Sequence, residues 1–127
     1  MSSPADLRYA DSHEWHRVEG NTVTAGLTRY AVDALTDVTY VELPNVGAAV
    51  SAGASIGEVE SVKTTSDIYI AVGGKVIEVN QKAIDDPSLL NSDPFGAGWL
   101  VKVQASDLSP LDALLDGGAY DAKYPAK

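Results

Sequence analysis

Cysteine is absent from this sequence of 127 residues. The chain therefore has no disulfide framework, no thiolate ligand for a metal ion and no cysteine nucleophile. Long apolar runs are also missing, so the sequence predicts no membrane-spanning helix. The N-terminal segment Met1–Asp6 has neither the basic and apolar regions of a secretory signal nor the arginine content of a transit peptide. We therefore expect neither kind of targeting segment, and the first methionine disfavours a processed precursor.

Positive charge is scarce. The chain has 9 lysine and arginine residues against 18 aspartate and glutamate residues, which gives a net charge of −9. This balance disfavours nucleic acid and anionic membrane surfaces as partners, and it suits docking to basic patches on other proteins. The apolar share of 45% is ordinary for a globular protein. We expect residues 1–127 to form one domain that needs no covalent staple.

Histidine occurs only twice, as His13 and His16 on either side of Glu14. In a strand the two histidines point to opposite faces, so they cannot readily share one metal ion. We therefore expect no metal centre, and we expect Trp15 to be a core aromatic residue. Gly96-x-Gly98 is not a phosphate loop, because no predicted strand precedes it and no helix follows it. The sequence also holds no Ser-His-Asp or Cys-His set, so we expect no catalytic residues and no enzymatic activity.

Two runs of alternating apolar residues surround a short polar link that contains Lys63. Apolar residues precede the link at Ile56, Val59 and Val62, and they follow it from Ile68 to Val72. Alternation with β-branched residues predicts two strands, and their proximity predicts a hairpin with Lys63 at or near its tip. The simplest interpretation of such a lysine is a solvated side chain that keeps a strand edge soluble.

Similar patterns predict the rest of the fold. Strands are expected at Glu14–Glu19, Thr22–Leu27, Val38–Leu43, Lys75–Asn80 and Trp99–Gln104. Helical segments are expected at Arg29–Leu35, Pro87–Leu90 and Pro110–Leu115, with Thr28 as the first cap, Ser106 or Ser109 as the last, and Gly117-Gly118 as a break. Ala119–Tyr124 is expected to form one more turn or to fray. The chain is thus predicted to be mostly β, a barrel-sandwich with short helical additions.

Several sequence blocks resemble the glycine cleavage system H protein in order and spacing. The blocks are Ser12-His-Glu-Trp15, Val41-Glu-Leu-Pro44, Gly57-Glu-Val-Glu-Ser-Val-Lys63, Ser66-Asp67, Gly74-Lys-Val-Ile-Glu-Val-Asn80, Asn91-Ser-Asp-Pro94 and Gly98-Trp-Leu100. The resemblance covers about residues 7–124, the expected ordered core. It implies a lipoyl/biotinyl-carrier-like barrel-sandwich hybrid with a C-terminal helix. At four positions the chain departs from the family pattern: Thr36 replaces the usual glycine, Thr64 replaces the frequent alanine after the lysine, and Tyr40 and Phe95 are exchanged aromatics.

The resemblance also implies a function. Lys63 matches the lysine that carries covalent lipoate, and the chain would be a non-catalytic carrier. It would take an aminomethyl group from the pyridoxal-phosphate glycine decarboxylase (P protein) to the tetrahydrofolate-dependent aminomethyltransferase (T protein). Dihydrolipoamide dehydrogenase (L protein) would then reoxidise the dithiol, and a lipoate-attaching enzyme would be the remaining partner. The implied location is the cytoplasm of a bacterium, or the mitochondrial matrix for a mature eukaryotic chain.

The carried group raises a hypothesis about two acids. Glu14 and Asp67 lie near the family's arm-binding cleft, and they would hold the protonated amine of the loaded arm. The alternative is that both are solvated acids, since exposed ion pairs are individually weak.

Other carrier classes fit less well. A lipoyl domain of a 2-oxo-acid dehydrogenase is shorter and lacks the Ser12–Trp15 segment. A biotinyl domain usually has methionine on both sides of its lysine, where this chain has Val62 and Thr64. An H-like protein that serves mainly as a lipoyl donor or scaffold remains open.

Overall fold

The computed structural model describes residues 7–124. Its strands are β1 (Arg8–Tyr9), β2 (Glu14–Glu19), β3 (Thr22–Leu27), β4 (Val38–Glu42), β5 (Ala49–Val50), β6 (Ser55–Ser61), β7 (Thr65–Tyr69), β8 (Gly74–Val79) and β9 (Val101–Ala105). Its helices are α1 (Arg29–Leu35), α2 (Gln81–Asp85), α3 (Ser88–Ser92) and α4 (Gly117–Lys123), and residues Ser109–Ala113 form a 3₁₀ turn. Within this described part, no helix combines the length and the apolar character that a membrane span requires.

The strands form two antiparallel sheets. The larger sheet has six strands in the order β1-β2-β3-β9-β8-β5, and the smaller has three in the order β4-β6-β7. The predicted mostly β barrel-sandwich with short helices and a C-terminal helix is therefore confirmed. The smaller sheet contains the hairpin of β6 and β7, and β7 is an edge strand of that sheet.

The core lies between the two sheets, and it follows from the alternation in the sequence. Ile68, Ile70 and Val72 are buried, as their period of two predicts. They belong to one cluster with Val23 and Val103 of the larger sheet. A second cluster, near α4, contains Trp15, whose indole N–H donates to the carbonyl of Pro94 at 2.9 Å. The expectation that Trp15 is a core aromatic is confirmed.

Helix α1 begins as predicted, because the Thr28 hydroxyl accepts a hydrogen bond from the Ala31 amide at 3.2 Å. At the C-terminal end the prediction of Gly117-Gly118 as a break was wrong. These glycines open α4, and the side chain of Asp116 caps it by accepting from the Ala119 amide at 2.8 Å. A first helical turn tolerates glycine when such a cap is present.

The predicted closing helix is instead a short 3₁₀ turn, Ser109–Ala113. Neither Ser106 nor Ser109 caps it: the position before the turn is Leu108, which makes no side-chain cap. Helix α2 was not predicted at all. Five residues give too short a window for a helical period to be recognised.

Thr36 joins α1 to β4 in a strained conformation. Its φ of 65° and ψ of −134° lie in a region that glycine occupies freely and β-branched residues avoid. The structure holds it there because Asn91 donates to the Thr36 carbonyl at 2.6 Å and accepts from the Val38 amide at 2.9 Å.

We expect Thr36→Gly to stabilise the protein by about 1–2 kcal/mol, since the strain removed exceeds the entropy that glycine adds to the unfolded chain. Chemical denaturation checks this result. Thr65→Gly, at an exposed position of β7 that is regularly paired with Glu60, is the matched control and is expected to destabilise. Equal losses of stability for the two variants would contradict the strain at Thr36.

Candidate functional site: the Lys63 hairpin and its neighbouring cavities

Lys63 lies in the turn between β6 and β7, as the alternation predicted. The Ser61 amide donates to the Thr64 carbonyl at 2.8 Å and closes the turn. The Ser61 hydroxyl oxygen accepts from the amides of Lys63 and Thr64, both at 3.1 Å. These bonds fix the backbone of the turn while the Lys63 side chain stays exposed. The turn therefore presents an exposed lysine side chain on a hydrogen-bonded backbone.

Strand β4 braces this turn from one side. Val38 pairs with Ser61, and the Val62 amide donates to the Asp37 carbonyl at 3.1 Å. Val62 itself, predicted as an apolar strand position, points its side chain into solvent and is 70% exposed. In the described part of the chain no carboxylate forms an ion pair with Lys63. Its amine is thus accessible to an enzyme that would modify it.

Glu14 is fully buried, although its residue type favours solvent. Its carboxylate accepts from the Ser12 hydroxyl and, at 3.1 Å, from the Tyr69 amide. Burial raises the pKa of Glu14 to about 7, and these two hydrogen bonds only partly oppose that rise. Near neutral pH the side chain therefore exists in both its neutral and its ionised form.

His16 lies two residues after Glu14 on β2, and its side chain also accepts a hydrogen bond from a backbone amide. Its Nε2 accepts from the Ala71 amide at 3.2 Å. Burial lowers the pKa of His16 to about 4, so the ring is neutral at physiological pH. Glu14 and His16 together satisfy the amide of Tyr69, at the end of edge strand β7, and the amide of Ala71, just beyond it.

His13 lies outside β2, with a φ of 75°. Treating it as a strand residue was therefore wrong, and its ring turns toward α4 rather than to a face of the sheet. Its Nδ1 is 2.7 Å from the Tyr120 hydroxyl, whereas His16 contacts Ala71. Within residues 7–124 no group of three or more potential ligand side chains is arranged to hold a metal ion.

Two cavities lie where the larger sheet, near β2, meets the smaller sheet, near β7. We call this junction the seam between the sheets. One has a volume of about 310 Å³ and runs between α1, at Ala31 and Leu35, and the start of β7, at Thr64 and Asp67. It ends beside Lys63, because Thr64 is the next residue. We call it the tip cavity. The other, of about 460 Å³, is mostly apolar and contains Glu14 and Tyr69. We call it the Glu14 cavity.

The two acids of the sequence hypothesis are placed differently by the structure. Asp67 is exposed and lines the tip cavity, and it accepts from the Tyr69 hydroxyl at 3.4 Å. Glu14 is buried and lines the other cavity. The residue that lines both is Ser12, for which the sequence predicts no role of its own beyond its place in the Ser12–Trp15 block. Its position three residues before buried Trp15 was the available signal.

Comparison with known proteins supports the resemblance. The family model for the glycine cleavage H-protein matches residues 7–126. A glycine cleavage system H protein of Symbiobacterium thermophilum is 52% identical over 119 residues, which are 94% of this chain and 93% of that protein. The mitochondrial glycine cleavage system H protein 2 of Arabidopsis thaliana is 53% identical over 115 residues, 91% of this chain and 74% of that protein.

The fold agrees with the sequence comparison. A crystal structure of a glycine cleavage system H protein from Mycobacterium marinum matches with a TM-score of 0.88 and 42% identity. The match covers 95% of this chain and 98% of that one. This chain therefore belongs to the glycine cleavage H-protein family.

Proposed function

We propose that this chain is a lipoyl carrier of the glycine cleavage system and that lipoate is joined by an amide bond to Nζ of Lys63. Family membership supports the carrier role in glycine cleavage. The observation that carries the assignment to Lys63 is its place in a hydrogen-bonded turn with an exposed side chain. A modifying enzyme needs such a site, because it must reach the amine without unfolding the hairpin.

The residues around Lys63 fit a long, uncharged arm. Amide formation removes the positive charge of the lysine, and the tip cavity beside it has apolar side chains on one wall, among them Leu27, Ala31 and Leu35. The lipoyl group, once attached, would supply a sulfur pair that cycles between disulfide and dithiol and carries a one-carbon amine unit. The chain itself would bind and shield that unit, while partner enzymes perform the chemistry.

Glu14 and Asp67 are proposed to hold the protonated amine of the loaded chain. A cation placed near Glu14 would favour the ionised carboxylate, which burial disfavours in the unloaded chain. Asp67 is exposed, so its contribution is expected to be the smaller one. Ser12 lies between the two cavities and would contact the amine from either side.

The proposed partners are the P, T and L proteins and a lipoate-attaching enzyme. Tethering the carried group to a hairpin tip raises its effective concentration at each docked active site, so weak and reversible docking suffices. The net charge of −9 suits partners that present basic surfaces. Such a carrier would work in the cytoplasm of a bacterium, or in the mitochondrial matrix for a eukaryotic chain.

Glycine decarboxylase activity tests this proposal. We expect carbon dioxide release from glycine to require the lipoylated chain, and we expect the unmodified chain and Lys63→Arg to give none above background. Lys75→Arg, which changes an exposed lysine on β8, is the matched control and is expected to behave as the parent chain. Full activity of Lys63→Arg would remove Lys63 from the proposal.

A further inference from the structure

Helix α4 holds the residues on both sides of Ser12. The Asp11 carboxylate accepts from Nζ of Lys123 at 2.9 Å and from the Tyr124 hydroxyl at 3.0 Å. On the other side of Ser12, Nδ1 of His13 is 2.7 Å from the Tyr120 hydroxyl. Ser12 is thus fixed between two contacts with one helix. Because Ser12 lines both cavities, the position of α4 sets the shape of both.

The ring of His13 is enclosed by aromatic residues from two helices. It lies 4.7 Å from the Tyr30 ring of α1 and 4.6 Å, edge to face, from the Tyr124 ring at the end of α4. The backbone around His13 is equally constrained: its amide donates to the Ala10 carbonyl at 2.9 Å, and its carbonyl accepts from the Thr28 amide at 3.0 Å. This packing holds His13 in a left-handed conformation that a side chain of its type adopts uncommonly.

A chain of hydrogen bonds links the first turn of α1 to His13 through Thr28 and Tyr120. The Ala31 amide donates to the Thr28 hydroxyl oxygen, which leaves the Thr28 hydroxyl proton to be donated elsewhere. Thr28 is fully buried, and its hydroxyl lies 2.7 Å from the Tyr120 hydroxyl, a contact in which either group can donate. When Thr28 donates, Tyr120 donates in turn to Nδ1 of His13; when His13 donates from Nδ1, Tyr120 donates to Thr28. In both directions the Tyr120 hydroxyl joins α1 to His13.

We propose that His13 and Tyr120 are positioning residues, through which α4 holds Ser12 and Glu14 in place, keeps the buried Glu14 carboxyl group away from water and sets the shape of the cavities beside the carried amine. The role in shielding a carried amine rests on the proposed function. The geometry is independent of lipoate, because every contact involved joins residues of the unmodified chain. Neither residue contacts the reacting atoms, and both act through the segment Asp11–Glu14.

Four variants distinguish the effect of losing these hydrogen bonds from a general effect on the fold. Tyr120→Phe removes the hydroxyl that joins Thr28 to His13, and His13→Leu removes the ring nitrogen that Tyr120 contacts. His13→Asn is the conservative variant, since asparagine places a hydrogen-bonding group near the Nδ1 position and tolerates a positive φ. Tyr40→Phe is the matched control: it removes a hydroxyl from an exposed tyrosine on β4, whose partner is Glu42.

The first readout is the titration of the Glu14 side-chain carboxyl carbon by NMR, on the chain without lipoate. In Tyr120→Phe and His13→Leu we expect water to reach the buried Glu14 carboxyl group, so the pKa of Glu14 falls from about 7 toward the ordinary value for glutamate. His13→Asn and Tyr40→Phe are expected to titrate as the parent chain. A general loss of stability, measured separately by denaturation, would not by itself move this titration in the folded state.

The second readout is the lifetime of the aminomethyl-loaded form in buffer. We expect a several-fold shorter lifetime in the same two variants and rescue in His13→Asn. If Tyr120→Phe does not fold, Asp11→Asn weakens the exposed contacts to Lys123 and Tyr124 and is expected to shift both readouts in the same direction.

An unchanged Glu14 titration in a folded Tyr120→Phe chain would overturn the proposal, as would a shifted titration with an unchanged lifetime. A chain that shows the titration shift but cannot be lipoylated would instead refute the proposed carrier function.

Discussion

Gly57→Ala is expected to destabilise the chain by about 3 kcal/mol or more, because the added methyl group has no room. A Cβ at this position would lie 2.1 Å from the carbonyl oxygen of Glu42 on the neighbouring strand. That oxygen belongs to the β4 backbone, so a side-chain rotation cannot relieve the contact. The β6 strand would have to separate from β4, and the brace behind the Lys63 turn would be lost.

Chemical denaturation measures this loss, and Gly118→Ala is the matched control. Gly118 lies in the first turn of α4, where an added Cβ approaches only the Asp116 carboxylate, at 3.6 Å. Alanine there is expected to stabilise the chain by a few tenths of a kcal/mol to about 1 kcal/mol. If Gly57→Ala were as stable as Gly118→Ala, the close approach of β4 and β6 would be refuted.

Glu14→Gln is expected to change how stability depends on pH. The folded pKa of Glu14, about 7, is above the ordinary glutamate value of 4.5, so the folded chain holds this proton more tightly than the unfolded chain. Its contribution is therefore fully present below pH 4.5 and is lost as the pH rises to about 7. Glutamine does not titrate. The variant should thus gain stability relative to the parent across this range, by up to about 3 kcal/mol.

His16 titrates in the opposite sense, so the effect of Glu14 on stability is expected to be partly cancelled in the parent chain. The folded pKa of His16, about 4, is below the ordinary histidine value of 6.5, so its contribution is present above pH 6.5 and is lost as the pH falls toward 4. In the parent, the two slopes oppose each other between pH 4.5 and 6.5. In Glu14→Gln the His16 slope remains, and stability should rise with pH.

Denaturation at a series of pH values checks the prediction, with Glu58→Gln, an exposed acid on β6, as the control. A constant difference between Glu14→Gln and the parent at all pH values would contradict the raised pKa of Glu14. The same variant tests the proposed role in shielding. If neither Glu14→Gln nor Asp67→Asn shortened the lifetime of the loaded form, these acids would not hold the amine.

The sequence predicts best those features that repeat with a period of two. The hairpin around Lys63 and the burial of Ile68 and Ile70 follow from alternation within a few residues. The cap at Thr28 is equally local. These features depend on residues that are close in sequence, so they can be predicted without knowing which distant residues are in contact.

Features that depend on distant residues could not be predicted in this way. Glu14 is buried because the Tyr69 amide, 55 residues along the chain, needs an acceptor at the seam between the sheets. No local pattern marks an acidic residue for such a role. His13 is similar, since its conformation depends on Tyr120, 107 residues away. The start of α4 is a different case: Asp116 was an available cap signal that the two following glycines obscured.

The most direct test of the account is the intact mass of the chain after incubation with a lipoate ligase, lipoate and ATP, followed by mapping of the modified peptide. We expect the mass of one lipoyl group to be added to Lys63 in the parent and in Lys75→Arg, and none to be added in Lys63→Arg. If the parent gained no mass under conditions that modify a known acceptor, this chain would have kept the fold of its family without the carrier chemistry. A group attached to another lysine would contradict the role assigned to the Lys63 turn.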